Sequence, residues 1–293
     1  MPTVPEEEPC PVWLTSRSGR AWSTRTGRPG RWRWTCTCRR AGCVPRRALR
    51  PRRRLAGRAP DRLRRAPHRP GRAGVAVASI DYRTVDLAAW PAQGHDVLAA
   101  AAWLREHADE LGVSGDPVVL MGSSAGAHVV TLTALSSPSP DVAGIVALFG
   151  RHDLAATAPK PAAHLEVPAV IRADAPPAGF EHLDQRGKLA LLAGVPVADL
   201  TAERLAELSP VHHAGPDAPP VFLAHGTADA LVHHSHALRL AGALADAPSR
   251  SEVTLVLVPG ANHEDDAFAD PRFLGSVAAF VDRCTAPLTS SAR

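Results

Sequence analysis

The sequence predicts an α/β fold built on a mostly parallel sheet with helices on both faces. Three observations carry it. From residue 73 onward, short β-branched runs alternate with helix-length segments, the order that produces parallel strands joined by crossover helices. Each run ends in glycine or polar residues, as strands delivering loops to one end of a sheet do. With 293 residues and 45% hydrophobic content, the chain is also large enough to bury a substantial core.

The first run, "GVAVASI" at 74–80, ends in the polar "DYR" and suggests a buried parallel strand. In "AQGHDVLAAAAWLREHADELG", Val97, Leu98, Ala101, Leu104 and Leu111 recur near helical spacing and Gly112 supplies a stop, which predicts a helix of about five turns. "DPVVLMG" follows as a strand and "AGAHVVTLTALS" as a helix. "VAGIVALFG", "PPVFLAHG" and "SEVTLVLVPG" add three strands. "SHALRLAGALADA" reads as a helix between the last two, and "PRFLGSVAAFVDRC" as a closing one. Residues 151–210, rich in Pro, Ala and His, interrupt the alternation and read as a lid over the carboxyl ends of the strands.

Residues 1–72 have a different composition, and the reading divides the chain there into an atypical Arg-rich segment and a domain at 73–293. The segment holds 20 Arg, no Lys and 4 acidic residues, whereas the remainder holds 13 basic and 25 acidic residues. Cys10, Cys36, Cys38 and Cys43 lie in front and only Cys284 behind, with four of the six Trp before residue 35. An odd cysteine count and an acidic start, "MPTVPEEEPC", in place of a basic, then apolar leader predict a cytoplasmic protein with reduced thiols. No apolar run approaches the roughly 20 residues of a membrane span. "CTCRRAGC" lacks the paired spacing of a zinc site, so no metal is expected.

Gly122-Ser123-Ser124-Ala125-Gly126 fits G-x-S-x-G with Ser124 at its centre. It directly follows a strand and precedes a helix, which is what a nucleophile elbow requires: small neighbours permit a strained turn that lifts the hydroxyl clear of the sheet. Ser123 is disfavoured because only Ser124 has glycine two residues away on both sides. A serine hydroxyl needs a base, and the base needs an orienting acid. Asp229 in "VFLAHGTADALV" and His263 in "VTLVLVPGANHEDDAF" each stand just beyond a later strand. Asp265 and Asp266 compete for the acid role but lie too close to His263 in sequence to reach round it. His233, His234 and His236 read as surface residues at a helix start.

These residues resemble the α/β-hydrolase esterases, in particular the hormone-sensitive-lipase-like and feruloyl-esterase-like bacterial carboxylesterases. The likeness runs through "VASIDYR", "PAQGHDVLAAAAWLREHADELGV", "GSSAGAH", "APPVFLAHGTADALV" and "PGANH", over about residues 74–284. It implies an α/β-hydrolase fold and hydrolysis of a small-molecule ester through an acyl-serine, without a cofactor. Ser124, Asp229 and His263 would form the triad and the Ala125 amide would donate to the oxyanion. Ala127 departs from the family, which usually has glycine there, and its methyl is expected to crowd the helix start.

The family draws further oxyanion donors from a His-Gly-Gly-Gly loop some 25 to 30 residues before the "VASxDYR" strand. Here that place is held by "PRRRL", Pro51 to Leu55, with no apolar strand ahead of it. "PRRRL" can be written CCA CGG CGG CGG CTG G, which gives His-Gly-Gly-Gly-Trp one nucleotide on. "WTCTC" can likewise hide Asp-Val-Tyr-Leu, two nucleotides in. The expectation is that residues before about 73 are an out-of-frame reading of a GC-rich gene and that early strands are missing or scrambled. The alternative for this segment is a basic arm binding nucleic acid, and the alternatives to ester hydrolysis are a hydrolase silenced by loss of its oxyanion loop and an arylformamidase-like amide hydrolase. The sequence leaves acyl and alcohol preference and oligomeric state open.

Overall fold

A computed structural model describes residues 76–156, 185–248 and 252–285, together with the backbone of two short strands nearer the N-terminus. In chain order the strands are β1 (Val12–Arg17), β2 (Arg33–Thr35), β3 (Ala76–Asp81), β4 (Val118–Ser123), β5 (Val142–Leu148), β6 (Val221–Gly226) and β7 (Val253–Val258). They form one seven-stranded sheet in the order β2-β3-β1-β4-β5-β6-β7. Only β2 runs antiparallel to its neighbour, pairing Arg33 with Ser79.

Five of these strands are the five runs of the sequence reading. β4 and β6 are buried almost throughout, and a parallel strand covered on both faces needs an unbroken apolar run, which makes it legible. Two further short strands come from the Arg-rich segment, where the early strands were expected to be missing or scrambled. β1 pairs with β3 on one side and β4 on the other, with Leu14 opposite both Ala78 and Leu120. Sheet pairing uses backbone groups, which an arginine-rich composition does not remove. Residues 36–75, including the "PRRRL" stretch, lie outside the described residues, as do Cys36, Cys38 and Cys43.

Helices α1 (Ala92–Glu106), α2 (Ala108–Leu111), α3 (Ala125–Ser136), α4 (Gln185–Ala193), α5 (Ala202–Glu207), α6 (Ser235–Asp246) and α7 (Pro271–Thr285) complete the fold. The long helix expected after residue 92 is two pieces, because at His107 the ring stacks on Trp103 and its Nδ1 bonds the Trp103 carbonyl. Gly112, at φ 67°, then ends α2 in the left-handed conformation glycine tolerates. Arg83 fastens the end of β3 to α1: its guanidinium meets Asp96 at 2.8 Å through Nε and Nη2, and its backbone amide donates to the same carboxylate.

The core has two principal layers. Val97, Leu104, Val130, Leu223 and Leu240 pack α1, α3 and α6 on one sheet face, while Phe222, Phe268, Phe273 and Phe280 pack α7 on the other. Between β5 and β6, α4 and α5 form a third apolar cluster in which Leu192, Leu200 and Leu208 cover Leu132 of α3. Among the described residues no helix is long and apolar enough to cross a membrane.

Candidate active site

Ser124 sits on the turn between β4 and α3 at φ 51° and ψ −117°, a conformation that L-residues rarely adopt. Its amide donates to the Leu148 carbonyl at 2.9 Å, and its own carbonyl accepts from the His128 amide at 3.2 Å. Strain of this kind persists only where the surroundings over-determine it. Gly122 shows how tightly: a Cβ there would stand 2.3 Å from the backbone carbonyl of Gly126. Ala125, the first residue of α3, carries an amide that the helix itself cannot satisfy.

The structure brings Ser124, His263 and Asp229 together. His263 Nε2 lies 2.9 Å from Ser124 Oγ, and His263 Nδ1 lies 2.8 Å from Asp229 Oδ2. Since the carboxylate can only accept, the proton on that side of the ring is on Nδ1, which leaves the Nε2 lone pair facing the serine hydroxyl. The Asp229 side chain is fully buried and that of His263 nearly so. Phe149, at the end of β5, meets the His263 ring edge-on with centroids 4.9 Å apart, so the imidazole is held against an apolar wall as well as a charge.

Four donors surround Asp229. Oδ1 accepts from the amides of Leu231 at 2.9 Å and Val232 at 2.8 Å. Oδ2 accepts from His263 and is also 3.2 Å from Nε2 of His225. Burial favours the protonated acid, but the hydrogen bonds from His225, His263 and Val232 outweigh it and hold Asp229 well below the usual carboxylate range.

Two residues missed in the sequence join the acid and base loops. Asn262 Oδ1 accepts from the amides of Ala230 at 3.1 Å and His263 at 2.7 Å. Gly226 lets the loops approach, since a Cβ on it would meet the Ala261 carbonyl oxygen at 2.2 Å. His225 had a visible signal, as the single titratable residue in the otherwise apolar strand "VFLAHG". Asn262 had none beyond standing beside His263.

The other sequence candidates are placed elsewhere. Asp265 accepts from the amides of Asn262 and Ala267, which makes it a loop cap and not a partner of His263. Ala127 does not crowd the elbow: its methyl faces Gly150, where an added Cβ would lie 2.7 Å from it. His233 and His234 are half-buried, but His236 is 1% exposed and accepts from the Asp153 amide through Nδ1 at 3.3 Å, which corrects its reading as a surface residue. Among the described residues no group of three His, Cys, Asp or Glu side chains is placed to hold a metal ion.

Comparison with known proteins places the chain in a family. The model of the family BD-FAE matches residues 66–244, from ahead of β3 into α6. The chain belongs to the BD-FAE family. Its curated relatives include Esterase LipQ of Mycobacterium tuberculosis (strain ATCC 25618 / H37Rv), 30% identical over 205 residues, covering 66% of this chain and 44% of that protein. Esterase LipC of the same strain is 26% identical over 200 residues, covering 64% and 44%. This BD-FAE chain therefore spans less than half the length of these relatives. A solved truncated form of a carbohydrate esterase from gut microbiota superposes with a TM-score of 0.64 at 19% identity, covering 96% of this chain and 88% of that one. A propionate-bound esterase of Thermogutta terrifontis gives 0.56 at 19% identity, covering 97% and 88%. The fold shared by the BD-FAE chain and these structures is that of the α/β-hydrolases.

Proposed function

We propose that this BD-FAE chain is a carboxylic ester hydrolase that works through an acyl-serine, with a small-molecule ester as substrate. The observation that carries the reading is the unbroken chain of hydrogen bonds from Ser124 Oγ through His263 to Asp229, at 2.9 and 2.8 Å. As Ser124 Oγ attacks the ester carbonyl, His263 Nε2 takes its proton, and Asp229 stabilises the imidazolium that forms. The carbonyl oxygen becomes an oxyanion and is met by the Ala125 amide at the start of α3. Collapse expels the alcohol, to which His263 returns the proton. Water activated by the same His263 then attacks the acyl-serine, and the acid leaves. No step requires a metal or organic cofactor. Residues 151–210, between β5 and β6, serve as the lid that sets the acyl and alcohol groups accepted.

Hydrolysis of a short-chain p-nitrophenyl ester by the purified chain, beside its Ser124→Ala variant, tests this. Saturable turnover that vanishes in the variant is expected. Equal background rates in both proteins would overturn the reading.

A further inference from the structure

The mechanism uses one histidine on Asp229, but the structure supplies two. We infer that His225 is a positioning residue for the triad: it clamps the outer edge of Asp229 and thereby sets how much of the carboxylate's charge His263 receives. The inference rests on the hydrolase reading above and deepens it.

The ring's tautomer follows from its contacts. His225 Nε2 lies 2.8 Å from the Val232 carbonyl oxygen, which can only accept, so Nε2 carries a hydrogen. The same N–H stands 3.2 Å from Asp229 Oδ2, with both side chains wholly out of solvent. His225 thus forks between the carboxylate and the backbone of the turn whose Val232 amide donates to the other carboxylate oxygen. Strand β6 makes the fork rigid, because His225 pairs with Leu257 of β7 in the parallel ladder while Gly226 closes the strand.

Two donors therefore share Oδ2: His263 at 2.8 Å and His225 at 3.2 Å. The nearer one does the chemistry and the farther one competes with it. Removing the farther donor leaves more negative charge for His263, so the carboxylate holds the imidazolium more tightly and activity in acid is lost at a higher pH. It also frees Asp229 to turn about its Cα–Cβ bond, which misaligns His263 against Ser124. Other groups face the ring electrostatically: His234 and His236 from the start of α6, and His152 from the segment after β5. None of these three rings hydrogen-bonds Asp229, whereas the hydrogen bond from His225 helps to hold its carboxyl below the usual carboxylate range.

Three variants and one spectrum test the clamp. In His225→Leu the donor is gone, in His225→Gln the side-chain amide reaches where Nε2 stood, and in His225→Asn it falls short. Expected for His225→Leu is a roughly tenfold or greater loss of kcat, with the acidic limb of the kcat/KM profile moved to higher pH. His225→Gln should return most of the rate and restore the limb. A purely packing role would leave the limb in place and make Gln no better than Leu, and that result overturns the inference. Should His225→Leu not fold, Gln against Asn makes the same comparison. The imidazole N–H resonances separate failure of the clamp from failure of the hydrolase reading, since they need no turnover. Even in a catalytically silent parent, His225 is expected to be protonated at Nε2, and the His263 Nδ1–H resonance is expected to move in the variant lacking the donor. A resonance that stays put sinks the clamp.

Discussion

Gly122 and Gly126 flank the strained serine so closely that a single methyl on Gly122 would stand 2.3 Å from both the carbonyl carbon and oxygen of Gly126. The contact is backbone on backbone, so no side chain can swing away to relieve it. Gly122→Ala must therefore move the first turn of α3 or the end of β4. A displacement near 1 Å at a reacting group costs about 10²-fold in rate, and overpacking of this kind costs about 1–3 kcal/mol. Ester turnover and urea unfolding of the variant should show both losses together.

Asp229→Asn is expected to lower kcat by about 10⁴-fold with little change in KM. A neutral amide neither stabilises the imidazolium nor reliably accepts from Nδ1–H, so the ring loses its charge partner and its fixed tautomer. Steady-state kinetics on a p-nitrophenyl ester would show it. A variant within tenfold of the parent would point to another acid, although Asp265 is occupied as a cap.

Stability should fall as solutions are acidified below about pH 6.5, before the carboxylates protonate. Burial pushes both His128 and His236 down to about 4, and His152 well below its ordinary value. For a histidine depressed in the folded state, the unfolded chain binds the extra proton between the two values, so unfolding is favoured as pH drops through that window. The stabilisation is complete above about 6.5 and declines toward 4, at about 1.4 kcal/mol for each unit of depression. Asp229, held low, weakens the fold only at more acid pH. Urea midpoints at pH 7.5, 6 and 5 should decrease in that order, and His128→Phe should flatten the trend.

Cys284 should be nearly inert in the folded protein. Burial pushes its thiol up to about 12, and its sulfur sits where a side chain on Gly144 would otherwise be. Since the thiolate is the reactive form, iodoacetamide at pH 8 should leave the peptide containing Cys284 unlabelled in native conditions and label it in urea, as read by mass spectrometry.

The sequence exposed those parts of the fold that physics makes repetitive. β4, β5 and β6 had to be continuous apolar runs, because both their faces are covered, and Ser124 had to be ringed by glycine, because nothing larger fits the turn. Asp229 and His263 were legible from their places beyond strands. Other features left no periodic trace. β1 and β2 bond through backbone groups in a stretch whose composition carries no clear strand pattern. His225 looks like one polar residue in a strand, and His236 like an exposed helix start, until α6 packs against the segment after β5. Asn262 works by a side-chain oxygen that bridges two loops distant in sequence, and no local pattern encodes that.

The helical segment between β5 and β6 leaves the sheet and returns to it in register. Ile145 pairs with Val221 and Leu148 with Ala224 across more than seventy intervening residues. Closing a longer loop costs only slightly more than closing a shorter one, and neither Ser124, Asp229 nor His263 lies inside it. With Phe149 and the apolar cover over Leu132 kept, this stretch can be rewritten in length and in chemistry without re-aiming the nucleophile. The same seam gives an engineer two fixed stubs between which a relative's segment can be grafted, and on the lid reading proposed above such a graft exchanges selectivity while the reaction stays where it is.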